Sequence, residues 1–202
     1  MVILLEDGFD DATFDAWTAT NGPPTIVESP VHHGDYSADF SGANANGIYV
    51  YKNTAAQSTV YFRGYFRLPS IPGSTYIPVI KIYASDYSSY CLACVTVNGK
   101  WALESHSGTT ESDLTPGVDQ WYCVEIMRTT GNGNGVNTLW INGSQIATRT
   151  TETQTVNASE FYAGHLLNTD VTVYGDCFVI SDVAIGQEPG IQLFTLINEM
   201  GY

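Results

Sequence analysis

Residues 59–68 read TVYFRGYFRL. Successive side chains of a strand point to opposite sides, so Val60, Phe62, Phe66 and Leu68 fall on one face. Tyr61, Arg63, Tyr65 and Arg67 fall on the other. One side of this strand is expected in a core, and the other carries polar aromatics and cations. The pattern continues outward. In YIPVIKIYA (76–84), Ile80 and Ile82 oppose Val79, Lys81 and Tyr83. YCLACVTV and KWALES flank Asn98-Gly99, a hairpin signal because both residues tolerate positive φ. WYCVEIMR and NTLWING flank the longer loop GNGNGV, and Asn142-Gly143 turns the chain back into SQIATRT. EFYAGHL and a final pair of strands in VTVYGDCFVISDVAIG close the set. Turn signals recur at the interval of a sandwich or barrel, with about eleven to thirteen strands. One domain is expected over residues 1–187, followed by a tail over 188–202.

Composition agrees with an all-β reading. The 202 residues include 13 Tyr and 19 Gly, and strand formers dominate over the scarce Lys, Arg and Leu. A chain of this length supports one large domain with a real core. It carries 7 Lys+Arg against 21 Asp+Glu, a formal charge of −14. So few bases make no phosphate-tracking stripe, which argues against nucleic acid and against an anionic membrane surface. No apolar run approaches the roughly 18 residues of a membrane span. The opening MVILLEDGFDD has no basic region before its apolar residues and is not read as a signal peptide. Either the chain is kept inside the cell that makes it, or it leaves the cytoplasm without a cleaved signal; a virion or extracellular surface is the expected location.

The order of motifs resembles a family. LLEDGFDD, Trp17 and SPVHHGDYSADFSG are similar to the opening of concanavalin A-like (laminin G-like) jelly-roll domains. STVYFRGYFRLPSIP, QWYCVEI with its Gly-rich hairpin and LWINGSQI, and VYGDCFVISDVAIG continue the likeness over residues 3–186. The resemblance implies a two-sheet antiparallel β-sandwich. It leaves function open, since the superfamily includes lectins, carbohydrate-binding modules, glycanases, polysaccharide lyases and phage adhesive domains.

Glycanases of this fold set acids in a Glu-x-Asp-x-x-Glu pattern on one strand, because retaining hydrolysis needs two carboxyls about 5 Å apart. No strand here has that spacing. A lyase acting on uronic-acid polymers needs a cation for the substrate carboxylate and a group to take the proton. Arg63, Tyr65 and Lys81 are its candidates, on the assumption that Arg63, Tyr65, Arg67, Lys81, Tyr83 and Glu125 share one sheet face. The bland reading of that face is a solvated or inter-sheet polar network. His32, His33, His106 and His165 have no Ser or Cys partner in a nucleophile-elbow motif. Cys91 and Cys94 lie at odd spacing on one strand, facing opposite ways, so zinc is not expected from that pair. Cys94 and Cys123 are left either as a single disulfide or as buried free thiols. Calcium is the metal the resemblance implies, at Glu6, Asp7, Asp35 and Asp176, against plain surface acids. Asp176-Cys177-Phe178 departs from the family's Asp-Asp-Val and loses one ligand.

Aromatic rings are the usual platform for sugars. Tyr49, Tyr51, Tyr61, Tyr83 and Trp140 are candidates, whereas Trp17, Trp101 and Trp121 read as core. The expected ligand face combines Tyr61, Arg63, Tyr65, Arg67, Lys81, Tyr83, Glu125 and Trp140. The tail places Ile191, Phe194, Ile197 and Met200 at three-residue steps, a short apolar helix that needs a surface to dock on. Its own sandwich, a second copy or a carrier particle would serve. The resulting expectation is a non-enzymatic surface or adhesion module, carried on a virion as decoration or tail/fibre component, with glycan or other surface proteins as partners and homo-oligomerisation or particle binding through the tail. A stand-alone carbohydrate-binding module and the lyase are the alternatives.

Overall fold

The computed structural model describes residues 1–42, 46–73, 75–167 and 170–188. The tail helix expected over 189–202 lies outside them. Among the described residues there are fifteen strands and no helix. In chain order these are β1 (Ile3–Asp7), β2 (Ala19–Asn21), β3 (Thr25–Val27), β4 (Ser37–Asp39), β5 (Ile48–Gln57), β6 (Thr59–Arg67), β7 (Ile77–Ala84) and β8 (Tyr90–Val95). They continue with β9 (Trp101–Ser105), β10 (Gly108–Glu111), β11 (Trp121–Thr129), β12 (Gly135–Ile141), β13 (Ser144–Glu152), β14 (Ala158–His165) and β15 (Tyr174–Ser181). The extra strands relative to the sequence reading include β2, β3 and β4, each three residues long, too short to show an alternation. The region 171–186 holds one strand, β15, rather than two.

Two antiparallel sheets pack face to face. The first runs β13-β12-β11-β6-β15-β4-β3, and β1 also pairs with β15. One edge of β15 takes β4 at Gly175 and β1 at Phe178. The second sheet runs β10-β9-β8-β7-β14-β5-β2. This is the two-sheet antiparallel β-sandwich that the sequence resemblance implied.

The core lies between the sheets and contains the inward set of β6: Val60, Phe62, Phe66 and Leu68 are all buried. Gly64 completes the row for a steric reason. A Cβ there would sit 2.4 Å from the ring of Phe178, which fills the space in its place. Phe178 meets Phe9, Trp17 and Phe66 edge-on, with centroids 5.4–5.8 Å apart. Edge-to-face rings at such distances add about 0.5–1.5 kcal/mol each beyond their buried area.

Trp17 and Trp101 are core, as expected. Trp121 is not. Tyr122, Val124 and Ile126 take the inward positions of β11, so Trp121 lies half-buried outside with Cys123 and Tyr65. Cys94 and Cys123 form no disulfide, and all four cysteines are free and buried. Cys94 packs on the outer side of the second sheet with Leu92 and Ala102, and Cys123 on the outer side of the first. A core layer of about 10 Å therefore separates them, beyond the reach of an S–S bond.

Candidate functional site

The outer side of the first sheet is built by β6, β11 and β15. Register sets Arg63 opposite Glu125 and Tyr65 opposite Cys123. This face is covered. Beyond β15 the segment 182–188 crosses it, and the two Glu125 oxygens accept the N–H groups of Ile185 and Gly186, each at 2.9 Å. Arg63 donates to the Gly186 carbonyl and to Glu188, both at 3.1 Å, while the Tyr65 hydroxyl accepts the Glu188 N–H at 3.1 Å. Arg67 is paired with Asp119 at 3.1 Å. Tyr61 and Trp140 remain partly open on this side, their rings 6.3 Å apart.

Lys81 and Tyr83 are elsewhere. The chain crosses between the sheets after β6, so β7 belongs to the second sheet. The shared face assumed for the lyase set does not exist: Arg63 and Tyr65 lie on one outer side and Lys81 on the opposite one. Arg63 is already neutralised by Glu188, and burial pushes the Tyr65 phenol well above its ordinary range. Both features oppose uronate capture and proton abstraction.

β15 carries an irregularity beside Tyr65. Its pairing with β6 steps from Asp176 opposite Tyr65 to Val179 opposite Arg63, one residue too many, and Cys177 sits there at φ +50°. A bulge of this kind re-aims side chains. Asp176 is fully buried and accepts the backbone N–H groups of His32 at 2.9 Å, His33 at 3.2 Å and Cys177 at 2.7 Å. Burial nevertheless raises its pKa to about 6. Held in this way, the His32 ring stacks on Tyr65, with centroids 3.6 Å apart and 20° between planes. Its Nδ1 lies 3.9 Å from the Cys177 sulfur, so His32 does have a cysteine neighbour, brought from the far end of the chain. Burial lowers the His32 pKa and raises that of Cys177. A cleft of about 1160 Å³ opens here, lined by His32, Arg63, Cys177 and Glu188 together with acids of the N-terminal segment.

The calcium set does not assemble there. Asp7 gives one oxygen to the Phe9 N–H at 2.8 Å and the other to the Trp17 indole N–H at 2.6 Å. Asp176 is engaged by three backbone N–H groups, and Glu6 and Asp35 are surface residues, Glu6 exposed on β1. Among the described residues, the trio of His, Cys, Asp or Glu ligand atoms lying within 4.8 Å of one another is His32, Cys177 and Glu188.

The outer side of the second sheet is a field of tyrosines. Tyr162 on β14 is paired with Tyr51 on β5 and with Lys81 on β7. In the next row Tyr83 is paired with Glu160 and Tyr90. Tyr162 meets Tyr49, Tyr51 and Tyr83 at 5.4–5.6 Å, and Tyr83 meets Tyr87 and Tyr90 at 5.4 and 5.9 Å. Lys81 Nζ stands 4.1 Å from the Tyr83 centroid and 4.4 Å from that of Tyr90, and donates to the Tyr83 hydroxyl at 2.5 Å. Glu104 accepts from Tyr76 at 2.7 Å and Tyr90 at 2.8 Å, and Glu160 accepts from Tyr162 at 2.7 Å. Burial and these carboxylates push the Tyr90 phenol up to about 12 and the Tyr162 phenol higher still. Tyr87 is 58% exposed. Of the expected platform residues, Tyr49, Tyr51 and Tyr83 meet here, whereas Tyr61 and Trp140 are on the other side. Sequence reading missed Tyr162, Tyr87 and Tyr90. The alternation of EFYAGHL, with Phe161 and Ala163 inward, was the signal for Tyr162.

No family model matches the chain, and no curated protein does. Solved structures do. The cellulose induced protein Cip1 superposes with TM-score 0.71 at 17% identity, covering 91% of this chain and 100% of that one. Domain 4 of AbnA, an extracellular arabinanase of Geobacillus stearothermophilus solved with arabinotriose, gives 0.62 at 12% identity, covering 91% and 93%. A sialidase gives 0.65 at 9% identity, with 90% of this chain on 18% of that protein. These likenesses establish the β-sandwich fold.

Proposed function

We propose that the protein is a non-catalytic glycan-binding module whose contact surface is the tyrosine face of the second sheet. The observation that carries this reading is the cluster of Tyr49, Tyr51, Tyr83, Tyr87, Tyr90 and Tyr162 over neighbouring strands, with Lys81, Glu104 and Glu160 set among the rings. Pyranose C–H faces pack on such rings, and the interspersed polar groups take the hydroxyls. Support comes from a structure of this fold in complex with arabinotriose, and from one of botulinum neurotoxin type C, whose cell entry depends on interaction with two ganglioside molecules. Among the rings one cation, Lys81, stands against two carboxylates, Glu104 and Glu160, in a chain of net charge −14. Neutral glycans therefore suit it better than uronate or sialate polymers. The fold likeness carries the expected virion carriage and oligomer no further.

Affinity electrophoresis and calorimetry against soluble arabinan, xylan, cellulose derivatives and alginate test the proposal. Binding to at least one neutral polymer is expected. Tyr51→Ala or Tyr162→Ala should weaken it roughly tenfold, about 1.4 kcal/mol, while Trp140→Ala leaves it unchanged. Binding lost in Trp140→Ala but kept in the tyrosine variants would move the site to the first sheet. An unsaturated product appearing in the alginate incubation would overturn the non-catalytic reading.

A further inference from the structure

The cleft on the first sheet plays no part in the glycan reading, yet it is the more elaborately built of the two surfaces. Three potential ligands converge there from distant parts of the chain. His32 comes from the loop before β4, Cys177 from the bulge of β15, and Glu188 from the segment crossing the sheet. We propose that His32 Nδ1, the Cys177 thiolate and the Glu188 carboxylate bind one borderline-soft divalent cation of the zinc class, with a fourth position left to water.

The donor set selects the ion. Imidazole, thiolate and carboxylate together are zinc-type ligands, whereas calcium takes oxygen alone. Separation fits as well. Tetrahedral bonds of about 2.3 Å to sulfur and 2.0 Å to nitrogen place the two ligand atoms about 3.5 Å apart. Sγ and Nδ1 stand at 3.9 Å, a few tenths of an ångström from that geometry. Each ligand is also oriented by a neighbour, as metal sites require. Asp176 fixes the His32 backbone and Tyr65 stacks on its ring. Arg63 and the Tyr65 hydroxyl hold Glu188. Cys177 is itself a positive-φ residue that is not glycine, inside a strand and beside a cleft, and its sulfur lies 3.4 Å from Asp176 Oδ1. Such strain is the kind that functional sites retain. Charge closes too. Glu188, Asp176 and Arg63 sum to −1, and a dication entering as the thiol leaves its proton to water brings the group to zero. One proton is released per ion: Cys–SH + M²⁺ gives Cys–S–M⁺ + H⁺.

Cobalt(II) titration of the chelator-treated full chain is the test. One Co²⁺ per chain is expected, with thiolate-to-cobalt charge-transfer absorption in the near ultraviolet and the intense visible bands of four-coordinate Co²⁺. Zn²⁺ should bleach both, and calorimetry in buffers of different ionisation enthalpy should report one proton released. Cys177→Ser should abolish the charge-transfer band although Cys91, Cys94 and Cys123 remain. Glu188→Gln, which leaves the bulge and the core untouched, should keep the band at saturation but weaken affinity by more than ~10-fold. Binding without charge transfer, a band that survives Cys177→Ser, or unchanged affinity in Glu188→Gln would each overturn the proposal.

Discussion

At the residue scale, the polar side chains enclosed by the sandwich are under more constraint than its apolar ones. His165, at the end of β14, is fully buried, and burial lowers its pKa below the ordinary 6.5 despite the nearby Asp170 charge. The folded protein therefore binds fewer protons at this site than the unfolded chain just below pH 6.5, so stability there rises with pH. The contribution is complete above 6.5 and is lost as pH falls through the window below it. Urea unfolding of wild type and His165→Leu at several pH values between about 5 and 7.5 measures it, the limiting slope for one group being about 1.4 kcal/mol per pH unit. The variant should lose one group's share of the rise, keeping the share owed to His32, which shifts in the same direction, and the opposing share of Asp176, whose raised pKa makes its contribution fall as pH rises toward about 6. Equal slopes would mean that His165 is solvated in the folded state. Little of this is legible in sequence: the residue after Gly164 carries no mark of burial, just as nothing around Gly64 announces that Phe178 needs its space.

At the element scale, the alternation of β6 and β11 is legible because aromatic and aliphatic residues contrast with Arg and Glu at every second position. Sheet membership is not. Parity gives a residue's side relative to its own strand, and the crossing after β6 separates Arg63 from Lys81 without leaving any periodic trace. The β15 bulge is equally silent, since one added residue changes no composition, yet it brings Cys177 to His32. The segment 182–188, most of which the sequence reading assigns to the end of a last strand, instead crosses the outer side of the first sheet. Glu125 is 5% exposed and takes two of its N–H groups, and bonds to a charged acceptor contribute more than neutral ones. Glu125→Ala should cost about 2–3 kcal/mol and Glu125→Gln, which keeps one carbonyl acceptor, less. Amide hydrogen exchange at Ile185 and Gly186 should accelerate in the alanine variant while that of β14 is unchanged. Unaltered exchange at those two amides would show that other contacts hold the segment down.

At the scale of the whole molecule, the two candidate surfaces occupy opposite sides of one sandwich. The cleft of His32, Cys177 and Glu188 sits outside the first sheet, and the tyrosines sit outside the second. Between them lie two backbone layers and a core about 10 Å thick, filled by Phe62, Phe161, Phe178 and their neighbours. Among the described residues, no charged side chain of one surface bonds to the other. Perturbations more than about 10 Å apart with no shared partner add within about 0.5 kcal/mol. Coupling between the sites would need an element with two alternative packings, and close-packed sheets that share their core aromatics offer none. The two activities should therefore be independent. Tyr162→Ala should leave the Co²⁺ titration unchanged, Cys177→Ser should leave affinity for a neutral glycan unchanged, and the double variant should show both single losses and no more. Calorimetry of each ligand with and without saturating amounts of the other is the direct measurement. A shift in either affinity beyond about twofold, roughly 0.4 kcal/mol, would mean that the sandwich transmits strain between its faces and that β15, shared by the cleft and the core, moves when the cleft is filled.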